Sequence, residues 1–291
     1  MTLRLDEALP EKRATRRAFD RARGFKDAIF IHDEARTRLL ARLDLLRLAP
    51  RLIVDLGCGL GLGASALALR YESAVVVALD SSRNMLRAAA ASAGRAVAVV
   101  GGDAERVPLR EHCADLVLAN LVLPWCRPEA VFAEAARVLA ADGVVLFATL
   151  GPDTLKEVRE AFATVDDRIH VHAAFDMHDL GDLALAAGLA EPVLDVDRLT
   201  VTYGDVAALG RDLKAMGAVN VAGGRRRGLT GTARWRSFEQ ALATPGRRFG
   251  VTVELILGQA FGRGPVQHRD PLAAGEIRVP IERLRRRSAS R

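Results

Sequence analysis

A glycine-rich turn between a predicted strand and a predicted helix is the segment of this sequence best suited to bind a ligand. It reads Asp55-Leu56-Gly57-Cys58-Gly59-Leu60-Gly61. Glycines at alternate positions allow tight turning and close approach of the backbone to a ligand. A second acid, Asp80, ends the next predicted strand, where a carboxylate can accept hydrogen bonds from ribose hydroxyls. The turn and this acid together predict a site for a nucleotide-like cofactor.

Three features favour S-adenosylmethionine over a dinucleotide. Asp55 directly precedes the turn, where dinucleotide folds have an apolar residue. Asp103 follows a third predicted strand and could hold an adenine amine, and Asn120 ends a fourth, at the edge where such sheets bind ligands. A cationic sulfonium also favours acids over a phosphate-binding helix end. A dinucleotide and a fold that has lost its ligand are the alternatives. The residues expected to contact the cofactor are Asp55, Gly57, Cys58, Gly59, Gly61, Asp80, Ser81, Met85, Asp103, Ala104, Asn120 and Leu121.

Short apolar runs alternate with alanine-rich helical stretches through the first half of the chain. This pattern predicts a parallel sheet covered by helices on both faces. The second half adds helices at 153–162 and 179–187 and two long strands at 192–203 and 251–261. The strands predicted in the first half are 52–56, 74–79, 96–100, 115–119 and 144–150, and the helices are 63–70, 82–91 and 129–140.

The long stretch between the last two predicted strands exceeds what a connection in a compact sheet needs, so we expect a cap there. An amphipathic helix that places Ala35, Leu39 and Leu43 on one face precedes the first strand. The predicted organisation is an N-terminal helical arm (1–48), a cofactor-binding α/β core (49–203), a helical cap (204–247), a last core strand (248–264) and a basic C-terminal tail (265–291).

Composition narrows the function classes. Half of the 291 residues are apolar, and the formal net charge is +6. No apolar run is long enough for a membrane span, so we expect a cytoplasmic protein without a membrane partner. Two Trp and two Tyr give no basic-aromatic interleaving, which argues against nucleic acid. The three cysteines lack disulfide or metal spacing, and we expect no metal at His170, His172 and His178. The oligomeric state is open.

Several segments beyond the glycine turn resemble one family. The chain from residue 16 to residue 261 is similar to the biotin-pathway malonyl-[acyl-carrier protein] O-methyltransferases (BioC type), within the class I S-adenosylmethionine-dependent methyltransferases. Phe25 stands where that family usually has a tyrosine. The segments that carry the resemblance are 150–159, 175–182, 199–203, 209–218, Asn220, 228–231 and 253–258.

The resemblance implies a Rossmann-like, mostly parallel seven-stranded sheet, with the cap inserted between the last two strands. It also implies methyl transfer to the free carboxylate of a malonyl thioester on acyl carrier protein. A carboxylate is already ionised at neutral pH, so no general base is required. A cationic side chain is still needed to bind and orient it. Arg211 is expected to bind the carboxylate, and Phe175 and Phe25 are expected to line the active site.

Acyl carrier proteins are acidic, so a basic cluster at 225–227 or at 13–23 could dock one. The resemblance leaves one alternative. An arginine-modifying assembly factor with the same fold would act on a protein substrate instead.

Overall fold

Seven strands form one sheet in the computed structural model, which describes residues 8–263 except Leu229 and Pro245. The sheet order is β3-β2-β1-β4-β5-β7-β6, and β7 runs antiparallel to both of its neighbours. The mostly parallel seven-stranded sheet is therefore confirmed, while the tail at 265–291 lies outside the described residues. The strands are β1 Leu52–Leu56, β2 Val75–Asp80, β3 Val97–Gly101, β4 Ala114–Asn120, β5 Leu139–Leu150, β6 Ala190–Tyr203 and β7 Phe249–Phe261.

Helices cover both faces of this sheet. Successive residues of a strand point to opposite faces, and in β1 Ile53 and Val54 are both fully buried, each in a different core cluster. This explains why the inner strands are continuous apolar runs. Within the described residues the helices are α1 Lys12–Arg21, α2 Phe30–Arg42, α3 Leu62–Arg70, α4 Arg83–Ser92, α5 Pro128–Val138, α6 Lys156–Ala163, α7 Met177–Ala186, α8 Val206–Ala215 and α9 Thr232–Leu242.

Two element boundaries differ from the prediction for reasons visible in the hydrogen bonds. β5 begins at Leu139, five residues before the predicted start at 144, because Leu139 already pairs with Ala114 across an irregularity. α6 begins at Lys156 and not at 153, because the preceding loop is held by a buried carboxylate: the Asp153 amide donates to Glu254 Oε2 over 2.8 Å.

The segment between β6 and β7 folds as two helices, α8 and α9, which pack with α6 around a small apolar cluster. The chain before α1 joins this segment: Pro10 bridges Ala222, and the Glu11 amide donates to the Val221 carbonyl over 2.8 Å. The arm is thus held between the core and the cap. No helix within 8–263, the two omitted positions aside, is long and apolar enough to cross a membrane.

Candidate active site

A cavity of about 640 Å³ opens at the carboxyl ends of β1, β2, β3 and β4, under α1 and α2. Eleven of the twelve residues expected to contact the cofactor line it; only Gly61 does not. Gly61 lies at the start of α3 with φ +78°, packed against Ala89 of α4. The structure therefore brings together residues that are spread from position 55 to position 121. Parallel strands whose carboxyl ends meet at one edge account for this convergence.

The glycine turn is shaped by a close approach of two loops. Gly57 has φ +66°, and a Cβ built on it would lie 2.6 Å from a methyl carbon of Val122, in the loop after β4. Gly59 also has a positive φ, +53°, but a Cβ there would meet nothing within 4 Å. Gly57 is thus required by its neighbour and favoured by its backbone, whereas Gly59 is favoured by its backbone alone.

Asp80 organises the adjoining end of β2. Its Oδ2 accepts a 3.0 Å hydrogen bond from the Gly59 amide, and its Oδ1 accepts a 2.7 Å hydrogen bond from the Ser82 amide. Ser82 in turn caps α4 and donates its hydroxyl to Asp20 of α1 over 2.8 Å. Burial raises the pKa of Asp80 from its ordinary value, although the backbone amides oppose this shift. A half-buried carboxylate that holds two loops is well placed to receive a ligand hydroxyl.

Asp55 is the most deeply buried of the site's acids. Burial raises its pKa to about 7, and hydrogen bonding from the Ala64 amide opposes the rise. A Cβ on Gly63 would lie 2.8 Å from Asp55 Oδ2, so the first turn of α3 closes directly over this carboxylate. Asp55 therefore changes its charge near neutral pH at the bottom of the cavity.

The arm reaches the third acid of the site. Lys12 of α1 lies 2.7 Å from Asp103 and 2.6 Å from Glu105. Partial burial alone would raise the pKa of Asp103, but the Lys12 ammonium, the Glu105 amide and the Arg127 charge together outweigh it and hold that pKa below its usual value. The Lys12 contacts close the arm over the end of the cavity where Asp103 and Ala104 lie.

Three buried side-chain polar atoms have neither a hydrogen-bond nor an ion-pair partner in the part of the chain that the structure describes, and all three belong to residues lining this cavity. They are Thr15 Oγ1, His32 Nδ1 and Asn120 Oδ1. Buried polar groups are nearly always satisfied in folded proteins, and an unsatisfied one costs about 1–3 kcal/mol. A polar ligand that supplies their partners fits this cavity, which is the fit expected of S-adenosylmethionine.

Sequence reasoning missed most of the arm's contribution. Lys12, Thr15, Arg16 and Phe19 line the cavity from α1, and His32, Asp33 and Arg36 line it from α2. Their helical spacing is the signal that could have placed them on one face of each helix. Burial lowers the pKa of His32 to about 4, so its imidazole is neutral at physiological pH. Only 21% of the Arg36 side chain is exposed, and its Nη1 lies 2.9 Å from Asp33 Oδ1.

An aromatic wall closes one end of the cavity. Phe25 lines it as expected and is buried, with its ring 5.1 Å from that of His32. Phe19 and Trp125 extend the wall, with ring centroids 5.1 Å apart at a nearly perpendicular angle. Aromatic rings exclude water and present polarisable faces to a cation. This end of the cavity therefore suits a positively charged sulfur.

Two residues expected in the active site lie elsewhere. Arg211 is exposed on α8 and does not line the cavity, because Leu209 and Met216 turn the other face of this region inward. Phe175 lines a separate, much smaller pocket beside the start of α7 and packs against the core there. The cavity is covered by the arm and not by α8 or α9, so a cation inside it has to come from another element than the cap.

The three histidines that raised the question of a metal have local partners. His170 Nε2 lies 2.7 Å from Asp166, and His172 Nε2 accepts a 2.8 Å hydrogen bond from the Val221 amide. His178 follows Asp176, the N-cap of α7. Across the described ranges, no three His, Cys, Asp or Glu side chains come together as a metal site.

Comparison with known proteins supports a methyltransferase site in this part of the chain. A family model described as a methyltransferase domain matches residues 54–147, which contain the glycine turn, Asp80, Asp103 and Asn120. Among solved structures, the fold is similar to the YcgJ protein from Bacillus subtilis (17% identity, TM-score 0.55) and to a putative methyltransferase from Bacillus halodurans (18% identity, TM-score 0.55). Each comparison covers 79% of this chain and 99% of the other. At such identities the similarity concerns the fold alone.

Sequence relatives are much more similar. The malonyl-[acyl-carrier protein] O-methyltransferase from Laribacter hongkongensis is 44% identical over 266 residues, covering 86% of this chain and 89% of the relative. The protein of that name from Gallionella capsiferriformans is 39% identical over 282 residues, covering 92% and 97%. A third, from Methylovorus sp., is 40% identical over 291 residues, covering 91% and 97%. The chain therefore belongs to the malonyl-[acyl-carrier protein] O-methyltransferase family of S-adenosylmethionine-dependent methyltransferases.

Proposed function

We propose that this protein transfers a methyl group from S-adenosylmethionine to the free carboxylate of a malonyl thioester carried by acyl carrier protein. The product is the malonyl methyl ester that primes pimeloyl synthesis in biotin biosynthesis. The observation that carries the proposal is the set of three unpartnered polar atoms, Thr15 Oγ1, His32 Nδ1 and Asn120 Oδ1, in one cavity of a chain whose relatives bear this name. These names favour the reaction over the arginine-modifying alternative.

The cofactor supplies the methyl group on a positively charged sulfur. We assign Asp103 and Ala104 to its adenine end and Asp80 to its ribose hydroxyls, since these residues line successive parts of the cavity. Asp55, Gly57 and the Asn120 side chain then face its amino-acid end. We assign Arg36 to the carboxylate of that end. Its guanidinium is half-buried, and it is close enough to Asp55 for its positive charge to lower the pKa of that carboxyl.

The methyl acceptor has to be oriented and shielded from water, and it needs no acid–base catalysis. Its carboxylate is ionised at neutral pH, so no proton has to be removed. The aromatic wall of Phe19, Phe25 and Trp125 excludes water from the reacting atoms. We assign the neutral His32 imidazole, whose Nδ1 has no partner among the described residues, to a hydrogen bond with an acceptor oxygen. Holding oxygen, methyl and sulfur in line supplies the rate enhancement.

Transfer of radioactive label tests the reaction. The protein is incubated with methyl-labelled S-adenosylmethionine and malonyl-acyl carrier protein, with acetyl-acyl carrier protein as the control that lacks a free carboxylate. Base-labile label on the malonyl carrier alone supports the proposal. Absence of label on the malonyl carrier, despite measurable cofactor binding, would overturn it.

A further inference from the structure

Five exposed basic side chains gather where the arm meets α8. We call this surface the arm–cap patch; it comprises Arg21, Arg23, Lys26, Arg211 and Lys214. Within the described part of the chain, none of the five forms an ion pair with a carboxylate. Arg211 and Lys214 lie three residues apart and share the outer face of α8. Excess positive charge that the protein does not neutralise internally is available to a partner.

Direct packing joins the two halves of the patch. A Cβ built on Gly24 would lie 3.9 Å from the Ala215 Cβ, so the turn after α1 touches the end of α8. Gly217 lies closer still to the arm, since a Cβ there would be 3.0 Å from the Phe19 ring. Arg23 and Lys214 each precede one of the two touching residues. The basic side chains therefore belong to one continuous surface.

The patch lies outside the aromatic wall of the cavity. Phe19 and Phe25 line the cavity with their rings, while Arg21, Arg23 and Lys26 of the same segment are exposed. A partner seated on the patch would be one layer of chain away from the end of the cavity that we assign to methyl transfer. It could present a tethered acyl group there without covering the adenine end.

The other basic cluster is partly neutralised. Arg225 and Arg227 both approach Glu11, at 3.1 Å and 3.4 Å. These contacts fasten the arm to the cap, so the two guanidiniums serve an internal role. Among residues 8–263, the two omitted positions aside, no carboxylate forms an ion pair with the arm–cap patch; Asp27 lies near Gly24, at its edge, and Asp212 lies on α8 between Arg211 and Lys214.

We propose that the arm–cap patch docks an acidic face of the carrier protein that delivers the malonyl thioester. This inference rests on the proposed function and adds the surface on which the carrier sits. It also gives Arg211 a role outside the cavity. Exposed charges of this kind raise the association rate and make it sensitive to salt, with little effect on the chemical step.

Charge reversal on and off the patch tests the inference. The patch variant is Arg23→Glu with Lys214→Glu. The comparator is Arg226→Glu with Arg236→Glu, which makes the same charge change at two exposed arginines that do not line the cavity. Binding of fluorescently labelled malonyl-acyl carrier protein is followed by anisotropy at low and high salt. Steady-state kinetics are measured with that carrier and with malonyl-pantetheine, which carries no acidic protein.

The patch variant should weaken carrier binding and raise KM for the carrier by about ten-fold or more at low salt, with kcat unchanged. KM for malonyl-pantetheine should not move, and the comparator should behave as wild type. An equal effect in the comparator, or an equal loss with malonyl-pantetheine, would overturn the docking surface. If the wild type methylates malonyl-pantetheine while carrier binding ignores the patch, the reaction stands and the docking surface falls. If the carrier binds through the patch without methyl transfer, the docking surface stands and the reaction falls.

Discussion

The amide of Gly59 donates a 3.0 Å hydrogen bond to Oδ2 of Asp80, which ties the turn after β1 to the end of β2. Both residues line the cavity. The carboxylate therefore shapes the glycine turn and also forms part of the cavity wall. A substitution of Asp80 should therefore alter both the conformation of the glycine turn and the binding of a ligand in the cavity.

Asp80→Asn should weaken cofactor binding by about 10- to 100-fold, because charge-assisted hydrogen bonds contribute about 1.5–3 kcal/mol. Isothermal titration calorimetry measures the affinity. Asp115→Asn is the matched control, since Asp115 Oδ2 also accepts from two backbone amides, those of Arg51 and Leu52, but lies outside the cavity lining. The control should lose stability and keep its affinity. Equal affinity loss in both variants would show that the effect is structural.

Gly57→Ala should destabilise the protein more than Gly59→Ala. Both glycines have a positive φ, which costs a residue with a side chain about 1 kcal/mol. Only at Gly57 would the new methyl group also meet Val122, at 2.6 Å. Thermal unfolding of the two variants measures the difference, and Val122→Ala in the Gly57→Ala background should restore part of the loss. A Gly59→Ala variant as unstable as Gly57→Ala contradicts this steric account.

Cofactor affinity should rise with pH around neutrality. Burial raises the pKa of Asp55 to about 7, so the carboxylate is mostly protonated near pH 5.5 and mostly ionised near pH 7.5. An ionised carboxylate attracts the cationic cofactor, and we expect binding about ten-fold tighter at the higher pH. Asp55→Asn should bind with little pH dependence over this interval. A variant that keeps the wild-type slope would assign the titration to another group.

Acidification should loosen the junction between the arm and the cap. Burial first, and the nearby Arg225 charge second, lower the pKa of His172 to about 4, below its ordinary value of 6.5. The unfolded chain takes up the proton more readily than the folded protein does. The free energy of unfolding is therefore highest above pH 6.5 and falls as the pH drops towards 4. The loss amounts to about 3 kcal/mol at most.

Protonated His172 also cannot accept the hydrogen bond from the Val221 amide. The opened junction takes up this proton below about pH 6.5, so hydrogen-exchange protection of Val221 and Gly223 should fall between about pH 6.5 and pH 4.5, before the folded-state imidazole itself is protonated. His172→Gln keeps an acceptor and does not titrate, so it should remove the pH dependence. Constant protection in the wild type across this range would refute the assignment.

The core strands and the residues that line the cavity at their ends could be predicted because local signals determine them. Apolar runs of strand length and a glycine turn followed by Asp80 are readable within short windows of sequence. The strand edge then brings Asp55, Asp103 and Asn120 together by topology alone. The start of β5 at Leu139 was missed because an irregular pairing with Ala114 decides it.

The cover of the cavity could not be predicted, because it depends on which distant elements touch. Lys12 meets Asp103 across 91 positions of sequence, and no local pattern marks that contact. The position of Arg211 likewise depends on packing that no local pattern marks. Its helix was predicted, but the side of the helix that faces the molecule depends on packing by Leu209 and Met216.

The bridge between Pro10 and Ala222 has a consequence for the order of folding. The arm is made before the core, yet the residue that it bridges is made more than two hundred residues later. Such a pairing closes a very long loop and forms late. A nascent chain can complete β1 to β4, with the glycine turn and Asp80, before the arm is fastened. Cofactor present during synthesis would therefore meet an open cleft first, and enclosure would come only with the cap.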